Sequence, residues 1–282
     1  MPDEETELTG RTPIGGQLHP HRPAPGERLD THRAEACEHT PGRRFRPDSG
    51  HEVQRRITDY WDQRAREYDR QQHREARVEA DRIAWRGILE QVMPAQPQDV
   101  LDLGTGSGYM ALQLAQLDHR VTGIDLSEAM LGIARDRAAE LGLAVEFGLG
   151  DAAEPPVAPG SFDVLVSRYL LWTLRSPDDA LRAWRRALRP SGLLVAVDGL
   201  WFPRGIDANP TPGFREHYDT AVRSVLPLAE ARSVEELTER IRAAGFRDVR
   251  VRLLEQLWEL DRDRGVVQGH DLVPQHLITA RP

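Results

Sequence analysis

The sequence predicts an α/β fold built on a doubly wound, mainly parallel sheet, and two observations carry this prediction. Short apolar runs with the character of buried strands alternate with segments of helical spacing between residues 100 and 197. The first run, residues 100–103, passes directly into a turn with glycine at positions 104, 106 and 108, and then into a helical pattern. A helix that starts after such a turn offers free N–H groups and partial positive charge, so this stretch is suited to an anionic ligand.

Composition narrows the kind of protein. The chain has 282 residues, 39% of them hydrophobic, and no run approaches the roughly 18 apolar residues of a membrane span. The net charge of −8 disfavours a nucleic-acid partner, because such proteins carry a basic stripe. Cys37 is the only cysteine, which favours a reducing compartment such as the cytoplasm. We therefore expect a soluble monomer or homodimer that binds neither nucleic acid nor membrane.

The composition of residues 1–50 predicts a disordered N-terminal tail. They are rich in proline, glycine and charge, with Phe45 as the only aromatic residue, so they cannot bury enough apolar surface to offset the entropy of ordering. Cys37 and His39, with His19 and His21 upstream, superficially resemble metal ligands, but we interpret them as ordinary tail residues and predict no metal site. Residues 51–282 are expected to form the folded domain.

Two helices are predicted to precede the sheet, over about residues 53–93. Apolar and aromatic residues recur there at spacings of three and four, namely Val53, Ile57, Tyr60, Trp61, Ala65 and Tyr68. Residues 69–72 resemble a break, and a second helix is expected over about 75–92 with Ile83, Ile88, Leu89 and Val92 facing inward. Pro94 and Pro97 then end it.

The spacing of the glycine turn separates two classes of cofactor. A dinucleotide fingerprint, G-x-G-x-x-G, requires a glycine at position 109, which is Tyr109. The string DLGTGSG at residues 102–108 resembles instead the first motif of the class I S-adenosylmethionine-dependent methyltransferases. Within them it is similar to the small-molecule, ubiquinone- and menaquinone-biosynthesis-like group. The resemblance implies a Rossmann-like sheet of seven strands with an antiparallel final pair, a helical N-terminal cap and an insert after strand 5.

The same resemblance assigns the first cofactor contacts. It implies that the loop formed by Gly104, Thr105, Gly106 and Gly108 passes beneath the amino-acid end of S-adenosylmethionine, and that Asp102 interacts with that end. The segment YWDQRAREYD at residues 60–69 is similar to a tyrosine-bearing helix that covers the cofactor in this family, which implies contacts from Tyr60 and Tyr68. Packing of these rings onto the sheet is the alternative.

The second strand, residues 120–124, ends at Asp125. A carboxylate there lies about twenty residues beyond the glycine turn and can accept hydrogen bonds from both ribose hydroxyls, as it also does in NAD enzymes. Ser127 is a good N-cap for the helix that follows. The string GIDLSEAML at 123–131 resembles the second family motif and implies that Leu126 and Met130 lie against adenine, although Met130 could equally belong to the core.

A weak third strand at about 144–147 leads to Gly150, Asp151 and Ala152. The family commonly has G-D-A at this point, which implies that Asp151 and the Ala152 N–H contact the adenine ring. An exposed turn is the alternative for Asp151. The fourth strand, residues 161–167, should point its carboxyl end at the ligand, where such sheets bind. We therefore expect the following residues to face the site, with the core as the alternative for the aromatic pair: Ser167, Arg168, Tyr169 and Trp172.

The remaining chain continues the alternation and then departs from it. A helix at 177–188, a strand at 193–197, a helix at 233–244 and two last strands at 247–254 and 272–280 are predicted. Between them, residues 199–230 are aromatic, rich in proline and without a strand pattern, and a long irregular segment in a compact domain is usually functional. We interpret it as a substrate insert that contributes Trp201, His217 and Tyr218.

The function predicted is transfer of a methyl group from S-adenosylmethionine to an oxygen or nitrogen of a small-molecule acceptor, in secondary metabolism. His217 is the first candidate for a general base, because an imidazole accepts protons near neutral pH, and a solvated loop histidine is its alternative. Weaker candidates are Asp198, Tyr218, His270 and His276. Three rivals stay open: an NAD-dependent oxidoreductase, a cofactor-binding protein without chemistry, and a methyltransferase fold that uses its bound cofactor for non-transfer chemistry.

Overall fold

The computed structural model describes residues 49–266 and 271–282. The predicted tail, with Cys37 and the histidines near it, lies outside these residues, except that Ser49 and Gly50 begin the first helix. His270 also lies outside them. No helix in the described ranges is long and apolar enough to span a membrane.

A seven-stranded sheet lies at the centre, in the order β3-β2-β1-β4-β5-β7-β6. Its strands are β1 Asp99–Leu103, β2 Arg120–Asp125, β3 Val145–Leu149, β4 Phe162–Arg168, β5 Leu188–Gly199, β6 Arg247–Leu253 and β7 Gln275–Arg281. The first five strands pair in parallel, and β7 is antiparallel to both β5 and β6. The α/β class, the strand number and the antiparallel final pair are confirmed.

The described residues form nine α-helices: α1 Ser49–Gln72, α2 Val78–Val92, α3 Tyr109–Ala115, α4 Glu128–Leu141, α5 Pro177–Ala187, α6 Phe214–His217, α7 Thr220–Arg223, α8 Val234–Ala243 and α9 Glu255–Arg264. Successive residues of β1 belong to different cores, with Val100 packing beside Trp85 and Leu101 beside Trp184. The central strands are therefore buried on both faces, which explains their continuous apolar sequence.

The insert after strand 5 packs against α1 and forms a third apolar cluster. The cluster joins Tyr60 of α1 and Trp172 to Phe214 and Tyr218 of the insert. Tyr218 is stacked on Phe214 with ring centroids 4.5 Å apart and an interplanar angle of 5°. The predicted helical cap and the insert therefore lie together over one end of the sheet.

Some sequence-based boundaries are wrong. The break expected at residues 69–72 comes later, because α1 continues to Gln72 and the chain turns at residues 73–77. Ile83 was expected to face inward but is 59% exposed. Strand β5 begins at Leu188 rather than 193, since Leu188 pairs with Phe162 of β4. Helix α9 was not anticipated.

Two aspartates fasten α1 to α4. Asp62 accepts a hydrogen bond from the Ser127 hydroxyl at the start of α4. About two turns further along, the two carboxylate oxygens of Asp69 accept from Arg137 at 2.9 and 2.5 Å. Burial alone would raise the pKa of Asp69, but hydrogen bonds from His73 and Arg137 outweigh it and hold that pKa well below its usual range. Helix α1 thus depends on an ion pair with α4 for its position.

We predict that Asp69→Asn lowers the free energy of unfolding by about 1 to 3 kcal/mol at neutral pH, since Arg137 loses a half-buried charged partner. The pKa of Asp69 is depressed in the folded state, so its stabilising effect is present above the ordinary value of 3.8 and is lost as the pH falls below it. The difference between wild type and variant should therefore shrink in acid. Urea unfolding at several pH values measures it.

Asp136→Asn is the matched control, because Asp136 is an exposed carboxylate on the same helix as Arg137. We expect it to change stability by less than about 0.5 kcal/mol. Equal effects of the two substitutions would contradict a specific role for the Asp69–Arg137 pair.

Candidate active site

A cleft opens beyond the carboxyl ends of β1, β2, β3 and β4, with about 970 Å³ of space that is partly open to solvent. The order of strands reverses between β1 and β4, and such switch points are where open α/β sheets bind ligands. The predicted residues that line this cleft are Tyr68, Gly104, Gly106, Asp125, Leu126, Met130, Gly150, Asp151, Ala152, Arg168 and Tyr169. Asp102 and Thr105 line a small adjoining pocket beside the glycine loop.

The glycine loop is held against the end of β2 by its own backbone. Gly104, Gly106 and Gly108 have φ angles of 66°, 55° and 80°, a region that favours glycine. The Thr105 N–H donates to the Ile124 carbonyl at 2.9 Å, and the Gly106 N–H donates to Asp125 Oδ2 at 2.8 Å. These two bonds fix the loop as the floor of the cleft.

The three glycines are required for different reasons. A Cβ on Gly108 would come within 3.0 Å of the Ala134 Cβ, because the chain just before α3 lies close to α4. A Cβ on Gly104 would lie 2.8 Å from the Leu170 side chain. A Cβ on Gly106 would meet no protein atom within 4 Å, so that position is open towards the cleft. Only Gly106 therefore leaves room that a ligand could use.

Asp125 both holds the glycine loop in place and lines the cleft. Its Oδ2 accepts from Gly106 and its Oδ1 accepts from the Ser127 N–H at 2.9 Å. A carboxylate has about four lone pairs, so these bonds leave acceptor capacity on Asp125 for a ligand in the cleft. Burial raises the pKa of Asp125, although these backbone hydrogen bonds oppose the rise.

Asp102 is buried beneath the loop, with 2% of its surface exposed. It accepts a hydrogen bond of 2.6 Å from the Thr105 hydroxyl. Burial raises the pKa of Asp102 to about 7, against the opposing effect of the Thr105 hydrogen bond. This carboxyl group therefore changes its charge near neutral pH, next to the small pocket.

At the end of the cleft formed by residues 150–153, polar groups lie next to apolar side chains. Asp151 Oδ1 accepts a hydrogen bond from the Ala153 N–H at 2.8 Å, and this bond does not use the other carboxylate oxygen, Oδ2. The Ala152 carbonyl is fixed by the indole N–H of Trp184 at 2.6 Å. Leu126 and Met130 line the cleft beside them, and Met130 is also almost fully buried.

A second, aromatic cavity of about 850 Å³ adjoins the cleft. Its wall is formed largely by the rings of Tyr60, Trp61, Tyr68, Tyr169, Trp172, Trp201, Phe202 and Phe214. Four residues line both spaces, namely Trp61, Tyr68, Arg168 and Tyr169. The cleft and the aromatic cavity therefore meet along a shared wall.

Arg168 lies at that meeting point. Its guanidinium carbon is 4.0 Å from the ring centroid of Tyr169, 4.5 Å from that of Tyr109 and 5.3 Å from that of Trp85. Tyr169 adopts a φ of 59°, a strained conformation for a large side chain. Strain of this kind persists where the surroundings hold a side chain in a required position, and here it directs Tyr169 beside the cation.

Several predicted residues lie outside these spaces. Ser167 is buried, and its hydroxyl has no hydrogen-bond partner among the described residues. His217 contacts the Gly213 carbonyl through Nδ1 at 3.0 Å and lines neither the cleft nor the aromatic cavity. Tyr218 lies in the third apolar cluster. Asp198 is buried and accepts from Leu171, Gly199 and Trp201, so its oxygens are occupied.

Sequence reasoning missed part of the wall. Gln54, Ile57 and Thr58 of α1 line the cleft, as do Leu170 and Leu174 after β4. Ile57 had been interpreted only as a packing residue, and the two polar residues lie beside it on the same helical face. The helical spacing itself was the available signal, because a helix that covers a site exposes its inner stripe to the ligand.

Comparison with known proteins agrees with this geometry. Residues 101–196 match the family model described as a methyltransferase domain. A ubiquinone biosynthesis O-methyltransferase of Pseudomonas aeruginosa is 37% identical over 94 residues, which is 33% of this chain and 40% of that protein. The chain thus spans less than half the length of the first curated relatives that it matches.

Two solved structures share the architecture. One is a S-adenosylmethionine-dependent methyltransferase of Thermotoga maritima, described as a possible histamine N-methyltransferase, with a TM-score of 0.54, 22% identity and coverage of 80% of this chain and 99% of that one. The other is the (4+2)-cyclase SpnF, with a TM-score of 0.51, 26% identity and coverage of 71% and 80%.

The strand order and the cleft at the switch point define a Rossmann-like fold. Within it, residues 101–196 match a methyltransferase domain, so over that part of its length the chain is similar to methyltransferases.

We predict that Gly106→Ala weakens binding of S-adenosylhomocysteine by tenfold or more, since its Cβ enters the floor of the cleft. Gly142→Ala is a matched control, because Gly142 also has a positive φ of 64° and no atom within 4 Å of its Cβ, but ends α4 away from the cleft. Each substitution should cost about 1 to 2 kcal/mol of stability. Calorimetric titration alongside thermal unfolding separates the two effects, and equal affinities would exclude this role for Gly106.

Proposed function

We propose that the protein transfers a methyl group from S-adenosylmethionine to an oxygen or nitrogen of a small aromatic acceptor. The observation that carries this proposal is the shared wall between the cofactor cleft and the aromatic cavity, formed by Trp61, Tyr68, Arg168 and Tyr169. An acceptor in the cavity and a cofactor in the cleft would be neighbours there.

The residues of the cleft fit the cofactor. Gly106 leaves an open floor, Asp125 keeps lone pairs for the ribose hydroxyls, and Asp151 keeps an oxygen for the adenine amine. The carboxyl group of Asp102, which lines the small pocket, suits the ammonium group of the amino-acid end. Leu126 and Met130 supply the apolar surface that an adenine ring requires.

When bound, S-adenosylmethionine supplies a methyl group on a positively charged sulfur, and an acceptor atom can form its bond to that carbon as the carbon–sulfur bond breaks. The protein therefore has no covalent intermediate to form, and its main task is alignment, which is worth about 7 to 11 kcal/mol in ideal intramolecular cases. The rings of the cavity exclude water and fix the plane of the acceptor.

No histidine lines the cleft or the aromatic cavity among the described residues. The geometry therefore favours an acceptor atom that is nucleophilic without a histidine base, such as an ionised phenol or a neutral amine. We accordingly assign His217 no catalytic part in this proposal.

Two rivals differ in their support. The NAD-dependent alternative is disfavoured, because the antiparallel β7 lies between β5 and β6, whereas the common dinucleotide-binding sheet runs 3-2-1-4-5-6. Non-transfer chemistry is a second candidate, favoured by the likeness to the (4+2)-cyclase SpnF. Secondary metabolism remains our proposal for the acceptor's origin, beside the quinone-type acceptors that the name of the Pseudomonas relative suggests.

Turnover with S-adenosylmethionine and a panel of phenols and arylamines tests the proposal. Methyl transfer should release S-adenosylhomocysteine in step with a product heavier by one methylene unit. A product of unchanged mass, formed without loss of the cofactor, would favour the non-transfer alternative. Folded protein that binds neither form of the cofactor would end the proposal.

We also predict a pH dependence of cofactor binding from Asp102. Its carboxyl group is neutral below a pKa of about 7 and ionised above it, and only the ionised form attracts an ammonium group. The affinity for S-adenosylhomocysteine should therefore rise as the pH increases from about 6 to about 8, by up to about tenfold per unit on the acidic side.

The affinity for 5′-methylthioadenosine, which lacks the amino-acid end, should stay flat over the same range. Asp102→Asn should make both profiles flat. A wild-type profile for S-adenosylhomocysteine that does not change would show that Asp102 does not contact this end of the cofactor.

A further inference from the structure

A third space, of about 610 Å³ and partly open to solvent, lies beside the aromatic cavity and has more charged and amide side chains in its lining. It is enclosed by α1, α2 and α9 together with the strand ends, and it shares Gln72, Arg168, Tyr169, Trp201 and Asp271 with the aromatic cavity. We call it the polar cavity. It has no part in the cofactor contacts described above, apart from the wall formed by Arg168 and Tyr169.

Buried polar atoms without hydrogen-bond partners are concentrated at this cavity. Of the described residues, four that line it carry such an atom: Gln71 Oε1, Arg74 Nε, Asp81 Oδ1 and Arg168 Nε. Buried polar groups in native proteins are normally bonded, and each exception calls for an explanation such as a ligand or an ion. Their concentration here indicates a site built for a polar group.

The charges around the cavity decide the sign of that group. Arg77 pairs with both Asp81 and Asp261 at 2.6 Å, so this cation is compensated and the three residues together carry one negative charge. At the rim, Asp271 pairs with Arg204 at 2.6 Å.

Arg74 and Arg168 are the remaining cations, and no ion pair joins either of them to a carboxylate within residues 49–266 and 271–282. Arg74 donates to the carbonyls of Val266 and Gly265, while Arg168 has only a long contact of 3.4 Å with Gln72 besides its aromatic neighbours. Taking a guanidinium even partly out of water without an anion is costly, so an anionic ligand would stabilise this partly buried pair of arginines.

We propose that the polar cavity binds a carboxylate of the acceptor, with Arg168 and Arg74 as its receptors, while the acceptor's ring occupies the aromatic cavity. This inference rests on the proposed function and deepens it, since it makes the acceptor an aromatic acid. A guanidinium matches a carboxylate through two parallel N–H bonds, and Arg168 borders both cavities. It can therefore hold the acid while the ring faces the wall of the cleft.

Binding of matched acid and amide pairs to the protein loaded with S-adenosylhomocysteine tests the proposal. Suitable pairs are benzoate with benzamide, 4-hydroxybenzoate with 4-hydroxybenzamide and cinnamate with cinnamamide, titrated by calorimetry. We expect at least one acid to bind about tenfold or more tighter than its amide, as a charge-assisted bond in a buried site implies. If no acid outbinds its amide in the wild type, the proposal is wrong.

Arg168→Met should remove the preference for the acid and leave the affinity for the amide within about threefold, and Arg74→Met should reduce the preference. Arg250→Met is the matched control, because Arg250 is exposed on the edge strand β6, and it should change neither affinity. Arg168→Lys keeps the charge without the fork and should retain part of the preference, which preserves the test if the methionine variant does not fold.

The cofactor is the other possible source of a carboxylate, through its amino-acid end. If Arg168→Met weakens binding of S-adenosylhomocysteine more than binding of 5′-methylthioadenosine, and the preference for the acid is unchanged, then Arg168 contacts the cofactor. That result would overturn the proposal. A wild-type protein that binds no S-adenosylhomocysteine would instead defeat the proposed function, so the two failures are distinguishable.

Discussion

The hydrogen bond between the Gly106 N–H and the Asp125 carboxylate is the constraint on which the site depends. It joins the loop after β1 to the end of β2, and with the bond from Thr105 to Ile124 it sets the loop against the neighbouring strand. Gly123 permits this approach, since a Cβ there would lie 2.8 Å from the Thr105 hydroxyl. One carboxylate therefore both holds the floor of the cleft and lines the cleft itself.

Much of the fold could be predicted because the sequence is locally consistent. The buried parallel strands are apolar throughout, and the glycine turn and Ser127, which accepts from the Met130 N–H as an N-cap, mark where helices begin. The errors have tertiary causes. Helix α1 continues past residue 69 because Asp69 is held by Arg137 of a different helix, and no local pattern encodes that pair.

Only part of the candidate site could be predicted from the sequence. Asp102, Asp125 and Asp151 lie in short motifs, so the resemblance of those motifs, and for Asp125 also its spacing from the glycine turn, could assign them to the cofactor. The environment of Arg168 could not, because Trp85, Tyr109 and Tyr169 come from α2, from α3 and from the end of β4. Side chains that converge from separate segments leave no periodic signal. The same reason explains why His217, chosen for its position in the insert, does not line the cavities.

At the polar and aromatic cavities, the side chain that would bind the acceptor lowers the stability of the folded protein. Packing Arg168 among three rings recovers roughly 0.5 to 2 kcal/mol for each well-placed ring, whereas taking a guanidinium out of water costs several kcal/mol. A purely structural role would be met at lower cost by an apolar side chain of similar size. The sequence has arginine at a position that borders the cofactor cleft, the aromatic cavity and the polar cavity together, as the adjacent Tyr169 also does. The free-energy cost of desolvating that charge would be offset when an anion binds beside it. Ligand binding would then stabilise the site.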